Sequence, residues 1–440
     1  MNLDPLEEWR RTHYSNMITP EQDGQQVTVF GWVEDIRDLG GVVFIVLRDK
    51  EGLIQVTVPR KKMPLDVVQK IELIGKQFVL GIRGKVKAAK EAPRGVEVIP
   101  TQVKILATAT YPLPLDPTGR VPANIDVRLD SRALDLRRPE CRAIFRIRHE
   151  AVGQIREFLS NIGYVEVHTP RIIVTATEGG SALFPVEYFD NKAFLAQSPQ
   201  LYKEQLITIF EKVFEVGTFF RAEESHTRRH INEFVSIDIE EAFVTMEDVM
   251  KTLEALIHDT VSHVADICKT ELKMLNVELK TPQLPFKRYT YDYILKELRE
   301  KGLEIKWGED IPTPSYRELE RLHEEEYYFI VDWPTKEKPF YIKPKTDNPE
   351  ICYAFDLMCG WIEIASGGSR VDSKEVLISR LREQNLNPES FKFHLNLFDY
   401  GFPPHAGWAV GLERLLMALV KRENVREVVL FPRDRFRLTP

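Results

Sequence analysis

The chain has 440 residues, 43% of them hydrophobic and 29% charged, with a formal net charge of −7; this is the balance of a globular protein of two or three domains. No apolar run reaches the roughly 18 residues of a membrane span, and the acidic, proline-broken start Met1-Asn2-Leu3-Asp4-Pro5 lacks the order of a secretory signal, so a cytoplasmic protein is expected. Cys141, Cys268, Cys352 and Cys359 form no CxxC pair, which favours reduced, buried thiols over a disulfide or zinc framework.

Residues 1–107 read as a small β domain. Val27–Val33, Val42–Leu47, Leu53–Val58, Phe78–Val86 and Val96–Ala107 are rich in β-branched and aromatic residues, and Pro64–Ile74 is helix-like. Five short strands with a helix after the third suit a five-stranded OB barrel or another small barrel. The first 120 residues hold 17 Lys/Arg against 15 Asp/Glu, while the remainder holds 43 against 52. A near-neutral module on an acidic body can still carry a basic face for phosphate. Residues 108–138, with Pro112, Pro114, Pro117 and Pro122, read as a linker. From Glu140 to Ile162 apolar residues recur at three- and four-residue steps, and Asn161-Ile162-Gly163 ends that helix. Strands and helices alternate from there through 139–440. The charged stretch around 270–345 reads as an insertion beside the core.

Three segments resemble the signature motifs of class II aminoacyl-tRNA synthetases, in the required order. They are the helix running into Gly163-Tyr164-Val165-Glu166-Val167-His168-Thr169-Pro170; Phe220-Arg221-Ala222-Glu223-Glu224 with Arg229-His230 and Asn232-Glu233-Phe234; and Gly411-Leu412-Glu413-Arg414-Leu415. Thr177-Glu178-Gly179-Gly180, Gln197-Ser198-Pro199-Gln200-Leu201-Tyr202-Lys203, Ile237-Asp238-Ile239-Glu240 and Phe431-Pro432-Arg433-Asp434-Arg435 narrow the resemblance to aspartyl-tRNA synthetases of the archaeal type. The resemblance implies an α+β chain: an N-terminal OB-fold anticodon-binding barrel, and a class II catalytic domain built on an antiparallel sheet flanked by helices.

The implied reaction joins L-aspartate to ATP as aspartyl-adenylate, releasing pyrophosphate, and then esterifies tRNA. Negative charge accumulates on phosphate oxygens, so fixed cations and positioning carry such chemistry. The resemblance makes Arg221 and Arg414 the catalytic cations, one on the α-phosphate and incoming carboxylate, the other on the γ-phosphate and adenine. Glu223, Arg229, His230, Ile231, Phe234, Glu363 and Gly411 complete the ATP site. Aspartate falls to Glu178, Gln200, Lys203, Arg221, Asp238, Ser366 and Arg370, with Lys203 and Arg370 as cations for its side-chain carboxylate. Asp356, Glu363 and Ser366 are the implied Mg²⁺ ligands, oxygen donors of the kind that ion prefers. On the barrel, Arg37, Phe44, Gln55 and Pro93 are the implied anticodon residues; aromatics on a sheet stack bases while amides read their edges.

Asparaginyl-tRNA synthetase is the nearest alternative, since it shares the scaffold. Pro199, Asp238 and the Phe-Pro-Arg-Asp ending favour aspartate. Ala92-Pro93-Arg94-Gly95 resembles the asparaginyl branch and those aspartyl enzymes that also charge asparagine tRNA, so both tRNA(Asp) and tRNA(Asn) are implied partners. A barrel-less amidating paralogue is disfavoured by residues 1–107, and a non-catalytic RNA-binding relic by Arg221, Glu363 and Arg414. The first motif implies a homodimer.

Overall fold

The computed structural model describes residues 2–176, 183–223, 228, 230–323 and 326–440. The chain divides into two compact units, Met1–Pro114 and Leu115–Pro440.

In the first unit β1 (Gln26–Asp38), β2 (Val42–Arg48), β3 (Leu53–Pro59), β4 (Val79–Ala88) and β5 (Val96–Ala107) close a barrel in the order β1-β2-β3-β5-β4. The closure follows from two-residue alternation: Val43, Ile45 and Leu47 on β2 and Ile54, Val56 and Val58 on β3 point into a core shared with Val27, Val29, Leu80, Ile82, Val96 and Val98. Phe44, Val46 and Gln55 are the intervening, half-buried residues and so face outward. The helix Leu65–Glu72 packs on this barrel through Val67 and Ile71.

The second unit is built on an eight-stranded sheet. In chain order its strands are β6 (Val165–Glu166), β10 (Lys212–Phe220), β11 (Glu233–Ala242), β12 (Lys287–Thr290), β13 (Tyr327–Val331), β14 (Ala354–Cys359), β15 (Ile362–Ser369) and β16 (His405–Gly411). Across the sheet the order is β12-β13-β14-β15-β16-β11-β10-β6, and β7 (Ile172–Ile173), β8 (Pro185–Tyr188) and β9 (Asn191–Leu195) form a separate small sheet. Only the end pairs β6–β10 and β12–β13 of the large sheet are parallel. Helices Pro139–Asn161 and Met246–Ile267 pack on one another and join the sheet's apolar face in a single core. A capping box of Thr245 and Asp248 starts the second helix, and the buried Trp408 indole of β16 donates to its Val249 carbonyl at 3.0 Å.

Two regions differ from the sequence reading. Within 108–138, Asn124 caps a helix Ile125–Asp130, and Arg132–Asp135 follows as a short one. Arg132 is buried, paired with Asp135, and donates to the Leu430 carbonyl at 2.7 Å. Residues from Leu115 onward thus belong to the second unit rather than to a free linker. The stretch 270–345 is not an insertion beside the core. It supplies two strands of the large sheet, and Phe286, Tyr291, Ile294, Leu298, Leu319, Trp333 and Phe340 enter the main core. Its helix Tyr291–Glu300 is strongly amphipathic, so the charges that dominate the sequence lie on the outer face. All four cysteines are free thiols, with Cys141, Cys268 and Cys352 buried and Cys359 half-buried. Among the described residues no helix is long and apolar enough to cross a membrane.

Candidate functional site

A cavity of about 300 Å³ opens over β11, β15 and β16, bordered by the start of the helix Gln200–Phe210 and the loop between β10 and β11. Gln200, Lys203, Arg221, Glu223, His230, Ile231, Phe234, Asp238, Glu363, Ser366, Arg370, Gly411 and Arg414 all line it. Residues far apart in the chain converge because the antiparallel pairing of β15, β16 and β11 brings Ser366 beside Ala409 and Asp238 beside Ala409 from the other side. Glu178 and Arg229 lie outside the described residues.

One end of the cavity is a buried charge network. Lys203 Nζ lies 3.1 Å from Asp238 Oδ1 and 3.3 Å from Glu240 Oε2, with all three side chains at 2% exposure or less. Arg370 reaches the same Glu240 with two nitrogens, at 2.9 and 3.1 Å. Such a fork is the strong, geometrically specific form of the pair. Burial works against the Arg370 charge, but Glu240 outweighs it and raises the guanidinium's affinity for its proton. Gln200 donates from Nε2 to Glu204 at 2.5 Å and reaches Glu240 at 3.5 Å. Asp238 keeps one buried carboxylate oxygen, Oδ2, without a hydrogen-bond partner among the described residues. Glu240 is the residue that reading one acid at a time missed. It stands two places after Asp238 on β11, and side chains two apart on a strand share a face. Gly407 on the neighbouring strand makes room for it, since a β-carbon there would sit 2.3 Å from Glu240 Oε2.

The other end carries the arginines. Arg221 begins the β10–β11 loop, its guanidinium 5.2 Å from the centre of the Phe234 ring and its Nε buried without a partner among the described residues. Asn232 pins the loop by donating to the Arg221 carbonyl at 2.7 Å and the Glu223 carbonyl at 3.1 Å. His230 Nε2 lies 3.8 Å from Glu223 Oε2. Gly411 ends β16 and Arg414 sits in the first turn of the helix Leu412–Val420, 3.3 Å from Glu363 Oε1. Beside it the buried Glu413 accepts from Arg148 of the helix Pro139–Asn161 at 2.9 Å and from the Val235 amide at 3.0 Å, which ties the three motif segments together.

Glu363 and Ser366 are three residues apart, which on a regular strand would put them on opposite faces. The register of β14 against β15 slips at Ile364, so that Asp356 faces Ser366 and Met358 faces Glu363. This bulge, a device that re-aims side chains, turns Glu363 toward the cavity. The tight turn that precedes it has Gly360 at φ +54°, a conformation glycine enters without strain. Asp356 lies deeper, with Lys338 Nζ 2.7 and 2.8 Å from its two oxygens. Burial, with the charge of Glu363 adding to it, pushes its carboxyl up to about 6 although Lys338 opposes the shift. Among the described residues no three His, Cys, Asp or Glu side chains form a metal cage.

On the barrel, Arg37 of β1 pairs across to Phe44 of β2, and Phe44 to Thr57 of β3, next but one to Gln55. Arg37, Phe44 and Gln55 therefore share the outer face of three adjacent strands. Gln55 Nε2 donates to Glu97 Oε2 at 3.2 Å, as does the Thr57 hydroxyl at 2.6 Å, which adds the buried Glu97 of β5 to this face. Pro93 starts the short turn before β5, where Arg94 donates to the carbonyls of Ser15, Asn16 and Ile18.

Known proteins share this layout. A family described as tRNA synthetases class II (D, K and N) matches residues 124–435, and an OB-fold nucleic acid binding domain matches residues 27–106. An aspartate–tRNA(Asp/Asn) ligase of Archaeoglobus fulgidus is 50% identical, covering 97% of this chain and 99% of its own length. An aspartate–tRNA(Asp) ligase of Pyrococcus abyssi is 49% identical over 98% of this chain and 100% of its own. Among solved structures, asparaginyl-tRNA synthetase of Pyrococcus horikoshii superposes with a TM-score of 0.93 at 33% identity, covering 98% of this chain and 100% of that one. Aspartyl-tRNA synthetase of Entamoeba histolytica gives 0.86 at 31% identity, covering 100% and 96%. The chain belongs to the class II aminoacyl-tRNA synthetases and, within them, to the archaeal aspartate–tRNA ligases.

Proposed function

We propose that the chain activates L-aspartate with ATP, releases pyrophosphate, and transfers the aspartyl group to the 3′ end of tRNA(Asp) and also of tRNA(Asn). The observation that carries the amino-acid assignment is the pair of buried cations, Lys203 and Arg370, at one end of a cavity whose other end holds Arg221 and Arg414. Glu240 bridges the two cations, and once Asp238 turns to the α-ammonium a side-chain carboxylate supplies the second anion that they require. Asparagine has the same shape without the charge, and leaving buried charge uncompensated costs on the order of 3–5 kcal/mol. Asp238, whose Oδ2 has no partner among the described residues, and the Gln200 amide are acceptors for the α-ammonium. The α-carboxylate then points toward Arg221, whose buried Nε, without a partner among the described residues, calls for an anion. In adenylate formation the carboxylate oxygen attacks the α-phosphorus while the bond to pyrophosphate breaks; Arg221 and Arg414 balance the charge that develops.

Glu363 and Ser366 offer oxygen donors to the cavity, and the second acid, Asp356, is raised mainly by its burial, with the nearby Glu363 charge adding to it. A hard dication shared with phosphates needs only one or two protein carboxylates, so this all-oxygen set fits Mg²⁺. When bound, the ion screens the phosphate charge. Lys338, which lines the cavity, holds Asp356 through both of its oxygens.

On the barrel, Phe44 stacks a base and Gln55, oriented by Glu97, reads another; Pro93 offers no backbone donor to its loop, which supports relaxed choice at the third anticodon position. We assign the chain to the cytoplasm, where these substrates are found. The exposed edge strand β6, with Ile162, Val165, Ile172 and Val174 near it in sequence and 40–70% exposed, supports a homodimer through the first motif. Charging purified tRNA(Asp) and tRNA(Asn) with labelled aspartate tests the reading. Label on both is expected. Discrimination against tRNA(Asn) beyond about a hundredfold, roughly 2.7 kcal/mol, removes the relaxed choice alone, and label on neither removes the ligase.

A further inference from the structure

Glu204 is a fully buried carboxylate that none of the steps above uses. It lies on the helix Gln200–Phe210, one turn after Gln200, so the two side chains meet on one helix face. Its Oε1 accepts from Gln200 Nε2 at 2.5 Å. Its Oε2 lies 3.0 Å from His394 Nε2 and 3.7 Å from His405 Nε2, both imidazoles being at 1% exposure or less. The Phe402 ring packs against both, with centres 5.9 and 4.6 Å away. His405 Nδ1 is engaged by the Pro403 carbonyl at 2.8 Å, which makes Nδ1 the donor and turns Nε2 to the acid. The imidazoles outweigh burial and hold the Glu204 carboxyl well below the usual range.

An ionised carboxylate can only accept. Gln200 Nε2 faces two of them, Glu204 and Glu240. The amide therefore has one satisfactory orientation, with its nitrogen toward the acids and its oxygen turned away from them. An amide free to turn over would offer the α-ammonium a donor as readily as an acceptor.

We propose that Glu204, braced by His394 and His405, is a positioning residue that locks the Gln200 amide with its oxygen presented to the α-ammonium of the bound amino acid. This rests on the reading above that Gln200 accepts from that ammonium.

The test is ATP–pyrophosphate exchange by the full chain without tRNA. Glu204→Met, which keeps length but removes the acceptor, is expected to raise the aspartate KM about tenfold or more. The ATP KM and kcat should stay within about threefold of the starting enzyme. Gln200→Ala should raise the same KM, and the double variant should be no worse than Gln200→Ala, since nothing remains to be oriented. If Gln200→Ala leaves the aspartate KM unchanged, the pocket reading falls and this inference with it. If Gln200→Ala raises it but Glu204→Met does not, or if the two effects multiply, Glu204 does not act through Gln200; the inference is overturned and the pocket stands. Should Glu204→Met fail to fold, His394→Asn loosens the opposite side of the same carboxylate. It should raise the aspartate KM when Gln200 is present and not when residue 200 is alanine; an equal rise on both backgrounds overturns the inference.

Discussion

Glu240→Gln isolates the charge balance of the amino-acid pocket. Two cations, Lys203 and Arg370, face two anions, Asp238 and Glu240, and Glu240 alone contacts both cations. The substitution keeps the shape, removes one negative charge, and points an amide group at donors. Breaking a buried pair from one side costs about 3–5 kcal/mol, because the partner charge stays buried. The unfolding midpoint should therefore fall by several degrees. Bound aspartate returns the missing carboxylate, whereas asparagine does not. Thermal unfolding with saturating L-aspartate should then show a larger upward shift in the variant than in the unaltered chain, as expected when a ligand restores what the folded state lacks. L-asparagine should produce no such excess. A variant that unfolds at the original temperature, or one stabilised equally by the two amino acids, would refute the pocket's charge accounting.

Glu363→Ala should abolish adenylate formation at ordinary Mg²⁺ concentrations, measured by ATP–pyrophosphate exchange; full activity would move the metal elsewhere. Arg414→Ala should raise the ATP KM and lower kcat in the same assay, because its partner Glu363 and the phosphates both lose a cation. Phe44→Ala should lower aminoacylation roughly tenfold or more, since stacking contributes about 1–3 kcal/mol per base; exchange without tRNA should be unchanged, and a loss there would show the barrel acting on the chemistry. Sedimentation at micromolar concentration should give a dimer of the 51.0 kDa chain, and a stable monomer would remove the role proposed for β6.

Much of this was legible because periodicity reports burial directly. The helical steps from Ile144 to Leu159 marked the long helix that Arg148 now anchors to Glu413, whereas Phe44, an apolar residue that by itself reads as core, was assigned to the barrel's outside only through the resemblance. What stayed hidden depends on partners distant in sequence. Lys338 and Asp356 are 18 residues apart and meet only in the folded chain, with nothing local to announce it. The register slip at Ile364, which aims Glu363, carries no composition signal. Glu240 was visible in the Ile237-Asp238-Ile239-Glu240 run, yet its importance comes from Arg370, 130 residues away. The region 270–345 misled because surface charge outnumbers the few apolar residues that its helix and strands send inward.

ATP–pyrophosphate exchange with L-aspartate and L-asparagine side by side, without tRNA, tests the central claim most directly. The buried Lys203 and Arg370 predict exchange with aspartate and a kcat/KM for asparagine lower by about a hundredfold to several thousandfold. Comparable kcat/KM values for the two amino acids would contradict the account.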